Sequence, residues 1–90
     1  ELTHIAAMAG ADGVKVAPHN PSGPVSTAAS IQACAVIGNF NWLELQWGEA
    51  PWRAEVLNPP EIFRDGSIAV PDKPGFGVEL NERVIRPRLM

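Results

Sequence analysis

The stretch from Val14 to Pro24, VKVAPHNPSGP, sets a histidine, His19, directly behind a short β-branched run that a proline ends. Further along, Glu44 is the lone charged residue inside the apolar run Phe40 to Trp47, FNWLELQW. Imidazole is the side chain whose unperturbed pKa of about 6.5 lets it take or give a proton near neutrality. A carboxylate among apolar neighbours is costly to leave unpaired, so Glu44 needs a partner or a task. If both faced one cavity, they could do acid–base chemistry. Each residue also has a plainer reading: His19 capping a loop or hydrogen-bonded beneath a helix, Glu44 in a salt bridge at a strand edge. Spacing alone leaves these open.

Whether the two groups meet depends on the elements that carry them. Leu2, Ile5, Ala6 and Ala9 repeat at i, i+3, i+4 and i+7, one apolar stripe of a helix, and the Gly10 to Gly13 stretch supplies its stop. Val14 to Ala17 reads as a brief strand ended by Pro18, which has no N–H for a ladder. Pro24 suits the first turn of a helix, with Ser22 or Gly23 as cap, and the small-residue run VSTAASIQACAVIG that follows ends at Gly38-Asn39. Phe40 to Trp47 reads as a second strand, apolar enough to be buried on both faces. Alternating helices and strands on short loops predict a parallel sheet with helical crossovers, and in such sheets chemistry collects at the carboxyl ends of the strands. His19 lies just past one such end and Glu44 near the next.

The alternation stops at Trp47. Beyond Gly48 prolines recur, with short strand candidates at Ser67 to Val70 and Gly77 to Leu80 linked by PDKPGF. The reading is α/β, with barrel-type βα units over residues 1–54 (strands near 14–18 and 40–47) and an extended segment over 55–90. Two strands leave their edges and faces uncovered, so the chain reads as a piece of a larger domain. It opens on Glu1 and shows neither the basic n-region nor the long apolar h-region of a secretory signal.

Hydrophobic residues make up 46% of the 90 and charged residues 19%, the balance of a folded globular chain. The longest run free of charged side chains, Val16 to Leu43, is broken by Pro18, Pro21, Gly23, Pro24 and Gly38, so no membrane span is expected. Seven basic residues against ten acidic give a net charge of -3, and the basic cluster of Arg83, Arg86 and Arg88 is small, so nucleic-acid binding is not expected. The single cysteine, Cys34, rules out an intrachain disulfide and fits a reducing, cytoplasmic setting.

Taken together, VKVAPHNPSGPVSTAAS, GNFNWLELQ and DGSIAVPDKPGFGVELNE resemble the carboxy-terminal part of the enolase superfamily. The resemblance covers essentially the whole chain and is strongest to the mandelate racemase branch, in its galactonate-dehydratase-like acid-sugar dehydratases. It implies the last βα units of a modified (β/α)8 TIM-type barrel, with residues 55–90 returning to a capping domain. It also implies a lyase that abstracts a proton α to a carboxylate, passes through an enediolate and loses water. His19 matches the histidine after the seventh barrel strand, which exchanges that proton. Glu44 matches the glutamate ending the eighth strand, which hydrogen-bonds the substrate carboxylate as charge builds. A Lys or His base with Mg²⁺ is the general enolase-superfamily pattern.

The same resemblance implies an Mg²⁺ cofactor whose ligands lie on earlier strands, outside these 90 residues, so no metal ligand is assigned here and the segment alone is expected to be inactive. Its implied partners are a sugar-acid substrate, the rest of the barrel with its capping domain, and further copies of the protein in a homo-oligomer. Asn20 and Trp47 are the candidate substrate contacts, Asn20 beside His19 at a helix N-terminus and Trp47 at the loop after the second strand. Trp42 shares the parity of Phe40 and Glu44 and is expected to line the barrel interior or pack in its core. Two other readings stay open: a non-catalytic piece that only completes a barrel with another chain, or a racemase, epimerase or cycloisomerase of the same superfamily.

Overall fold

The computed structural model describes residues 1–89. Helix α1 spans Leu2–Ala11. It ends because Gly13 takes φ +71°, a left-handed conformation that glycine adopts without a Cβ clash. The Gly13 and Val14 N–H groups then close back on the Gly10 and Ala9 carbonyls, a Schellman cap. Helix α2 spans Pro24–Cys34, with Gly23 as N-cap and Pro24 at its first position. It stops short of the Gly38 expected from sequence: the Val36 and Ile37 N–H groups bond three residues back, to Ala33 and Cys34, and tighten the end into a turn. Among the described residues no helix is long and apolar enough to cross a membrane.

Between and after these helices run the two expected strands, in parallel and side by side. The Val16 N–H donates to Asn39 O and the Val16 carbonyl accepts from the Asn41 N–H, each at 2.9 Å. An unbroken parallel ladder would next join Pro18 O to the Leu43 N–H. Instead Pro18 O accepts from Glu44 at 3.1 Å. One extra residue is therefore accommodated in the second segment, as in a β-bulge, and Pro18 has no N–H to resist the slip. The ladder expected over 14–18 and 40–47 is accordingly a single parallel bridge with one further hydrogen bond.

The slip also changes which side chains share a face. Phe40, Leu43 and Leu45 line one apolar groove with Ile31 and Cys34 of α2. Phe40 therefore departs from the parity expected for it, since it sits with Leu43 and Leu45 and not with Trp42 and Glu44. The second segment is covered on that side only: Trp42 is 62% exposed, against the expectation of burial on both faces. Ile5, on the apolar stripe of α1, is likewise exposed. The accessible surface is 6535 Å², where a compact monomer of 9.7 kDa shows about 5,100 Å².

The remaining chain folds back over α2. A 3₁₀ turn at Arg53–Val56 leads into strand β1, Leu57–Asn58, which pairs antiparallel with β2, Glu79–Leu80. Of the two strands expected in this tail, the second survives in part. The first is reduced to a bridge between Ser67 and Arg64 around Asp65 and Gly66, both at positive φ, the geometry of a two-residue I′ hairpin turn for which Asp-Gly is a preferred sequence. A short helix α3, Glu82–Ile85, and a 3₁₀ turn, Arg86–Arg88, close the described chain. Val56 and Leu57 pack on Ala28 of α2, flanked by Val78, Val84 and Ile85. Two of the three arginines near the end have partners within the chain: Arg86 pairs with Glu82, and Arg88 lies over the Trp52 ring at 4.8 Å.

Beneath this apolar contact lies a polar one. Arg53, 7% exposed, donates from Nε to Glu61 Oε2 at 3.0 Å and from Nη2 to Oε1 at 3.4 Å. Its Nη2 also donates to Thr27 Oγ1 at 3.0 Å, and its Nη1 to the Ser22 carbonyl at 3.1 Å. One guanidinium thus joins the tail, the first turn of α2 and the loop that carries His19. No buried side-chain N or O among the described residues is left unpartnered.

Two outcomes test this packing in the complete gene product. Arg53→Met strands a buried carboxylate and is expected to cost about 3–5 kcal/mol in urea unfolding, whereas the paired change Arg53→Met with Glu61→Leu recovers most of that loss. Gly77 holds φ +74°, and a Cβ there would stand 2.2 Å from the Pro71 Cβ, while a Cβ on Gly75 (φ +66°) meets nothing within 4 Å. Gly77→Ala should therefore lower the unfolding midpoint distinctly more than Gly75→Ala, which carries only the left-handed backbone penalty of roughly 1–2 kcal/mol.

Candidate active site

Pro18 and Glu44 are joined through their backbones, and that single bond determines what stands at the end of the two parallel segments. His19 follows Pro18 directly, so its imidazole is delivered beside the Glu44 side chain: Nε2 lies 3.7 Å from Oε2. At that distance the groups are neighbours and not a hydrogen-bonded pair. Both keep their bonding capacity for a third molecule. They are also open to it, with the His19 side chain 72% and the Glu44 side chain 56% exposed.

This exposure corrects the expectation that Glu44 is a buried acid. The apolar neighbours that suggested burial, Leu43 and Leu45, turn to the α2 groove, and Glu44 turns the other way with nothing packed over it. The two groups themselves, one imidazole and one carboxylate, stand together at adjacent carboxyl ends of parallel segments. An imidazole can accept a proton from a bound molecule, and a carboxyl group beside it can hydrogen-bond an oxygen of the same molecule.

The other two candidates lie elsewhere. Asn20, next in chain to His19, is 2% exposed and points inward: Nδ2 donates to Thr27 Oγ1 at 2.9 Å, and Oδ1 accepts from Ser26 Oγ at 3.0 Å. Trp47 is exposed and meets Phe63 edge-on, with ring centroids 5.1 Å apart. It walls the α2 groove, whose lining includes neither His19 nor Glu44. Thr27, Arg53 and Glu61 are the residues sequence reasoning passed over. Arg53 and Glu61 are eight apart in a proline-rich segment without periodicity, and no local signal marks them as partners. Cys34 lies in the groove wall, where burial raises its thiol above its usual range, so it is mostly un-ionised near neutrality.

The described residues contain no group of three or more His, Cys, Asp or Glu side chains placed to hold a metal ion. The imidazole and carboxylate are two donors with no third beside them, so this segment by itself does not fit a divalent-cation site.

The sequence pattern of enolase C-terminal domain-like proteins matches residues 1–84. A D-galactonate dehydratase of Verminephrobacter eiseniae is 37% identical over 94 aligned positions, covering 98% of this chain and 25% of the relative. Among solved structures, a mandelate racemase/muconate lactonizing enzyme-like protein from Rubrobacter xylanophilus superposes over all of this chain, and 23% of its own, with TM-score 0.91 and 34% identity. A Burkholderia xenovorans protein described as a putative L-alanine-DL-glutamate epimerase, bound to magnesium and fumarate, does so over 93% of this chain and 21% of its own, with TM-score 0.81 and 30% identity. The chain thus spans a quarter or less of each relative's length. A pattern match over nearly its whole length and a superposition this close leave one conclusion: the chain belongs to the enolase C-terminal domain-like family, in the mandelate racemase branch of the enolase superfamily.

Proposed function

We propose that the protein containing this chain is an acid-sugar dehydratase, a lyase in which His19 removes the proton on the carbon next to a sugar-acid carboxylate. The observation that carries this reading is the imidazole and carboxyl pair, 3.7 Å apart and both open to a ligand. The C–H electrons move into the carboxylate to give an enediolate. The Glu44 carboxyl group hydrogen-bonds one of its oxygens, so that charge developing in the transition state meets a fixed partner. Departure of the neighbouring C3 hydroxyl as water needs one proton, which the His19 imidazolium can return. The enol left behind tautomerises to a 2-keto-3-deoxy acid.

In this reading Mg²⁺ would be held by residues outside residues 1–89 and would supply positive charge to offset the second negative charge of the enediolate. The outer side of the tail meets the capping domain that closes over the sugar. The dehydratase name of a 37%-identical relative supports the choice of reaction. The competing reading is an epimerase or racemase, favoured by the name of a solved structure at TM-score 0.81. It shares the proton abstraction and differs in returning that proton to carbon with no loss of water.

The complete gene product, assayed with a panel of sugar acids at saturating Mg²⁺, separates the two readings. A dehydratase releases a 2-keto acid that a carbonyl reagent traps. An epimerase releases none, yet incorporates solvent deuterium at the α-carbon. His19→Asn is expected to lower turnover roughly 10²- to 10⁴-fold, and Glu44→Gln by about 10²-fold or more. Unchanged turnover in His19→Asn removes His19 from the chemistry.

A further inference from the structure

The imidazole that the proposed chemistry depends on is held by no hydrogen bond of its own among the described residues. It stands on a five-residue loop, 19–23, with its side chain largely in solvent. A base is effective only when its nitrogen sits at the proton to be moved, and an error of about 1 Å can cost on the order of 10²-fold. Something must therefore fix the loop.

One side of His19 is fixed by the backbone bond from the Glu44 N–H to Pro18 O. The other side is fixed from below. Asn20 turns its side chain in the opposite direction to His19 and spends both ends of its amide on the first turns of α2, on Thr27 and Ser26. The Thr27 hydroxyl, 0% exposed, uses its full capacity: it accepts from Asn20 Nδ2 and from Arg53 Nη2, and donates to the Gly23 carbonyl. Arg53 Nη1 holds the Ser22 carbonyl. Asn20, Ser22 and Gly23, three of the five loop residues, are thereby tied into one buried network anchored on the Arg53–Glu61 ion pair. Such a network has discrete geometry and few ways to relax, because each lost partner leaves a buried polar group unpaired.

We infer that Thr27, Asn20 and Arg53 are positioning residues for His19: the buried network reaches through Asn20 to set where the imidazole stands opposite Glu44. The inference rests on His19 being the base. A network needed only for folding would set stability; one that positions the base also sets the rate of proton transfer.

The test uses the complete gene product and the most rapidly converted acid of the panel, in C2-protonated and C2-deuterated forms. Thr27→Val, which keeps the shape and removes the hydroxyl, is expected to lower kcat roughly 10- to 100-fold with KM held within about twofold, and to raise the deuterium isotope effect on kcat as proton transfer becomes limiting. Thr27→Ser, which keeps the hydroxyl, restores kcat and the isotope effect to within a few-fold of the parent, on the same scale. If Thr27→Val is insoluble, Asn20→Ser is read by the same criteria. A variant that melts earlier but keeps the parental kcat and isotope effect, beside an inactive His19→Asn, overturns the positioning role alone. Full turnover in His19→Asn overturns the catalytic reading and this inference with it.

Discussion

The fold turns on one buried guanidinium. Arg53 is too strongly charged to sit inside a protein unless its N–H groups are largely occupied, and here four hydrogen bonds engage four of its five. Meeting that demand forces three stretches that are distant in sequence to converge. Glu61 must come in from the tail, Thr27 must face inward from α2, and the Ser22 carbonyl must turn down from the loop. The apolar contact of Val56 and Leu57 with Ala28 adds burial but little direction. Shape comes from the ion pair, because a bidentate guanidinium–carboxylate contact tolerates little rotation.

A second constraint acts at Pro18. Lacking an N–H, it cannot enforce the parallel register, and the neighbouring segment takes up one extra residue there. Glu44, and not Leu43, becomes the backbone partner of the residue before His19. The same slip sends Phe40, Leu43 and Leu45 into the α2 groove and leaves Trp42 and Glu44 on the open face. One proline therefore places the histidine beyond the strand and sorts the side chains of its neighbour into a packed face and a chemical one.

That open face leaves Trp42 in water. Parallel segments in α/β domains are covered on both sides, one by the crossover helices and the other by the inward-facing residues of the remaining strands. Here α2 covers one side. The chain spans a quarter or less of the length of the relatives it matches.

The sequence by itself determined whatever is decided within a few residues: the stop of α1 at its glycines, the start of α2 at Pro24, and the end of the first segment at Pro18. The family resemblance was also legible there, since it rides on contiguous motifs. Tertiary structure alone decided the rest. The parity of Phe40 and the exposure of Glu44 depend on a slip between segments that pattern reading treats as regular. The strand expected over Ser67 to Val70 is reduced to the bridge that Ser67 makes with Arg64 across the Asp65–Gly66 turn. Asn20 proved to face the interior, and the Arg53, Glu61 and Thr27 network beneath it left no trace in composition or spacing. A buried ion pair depends on which distant residues meet, and periodicity records only which way each residue faces along its own element.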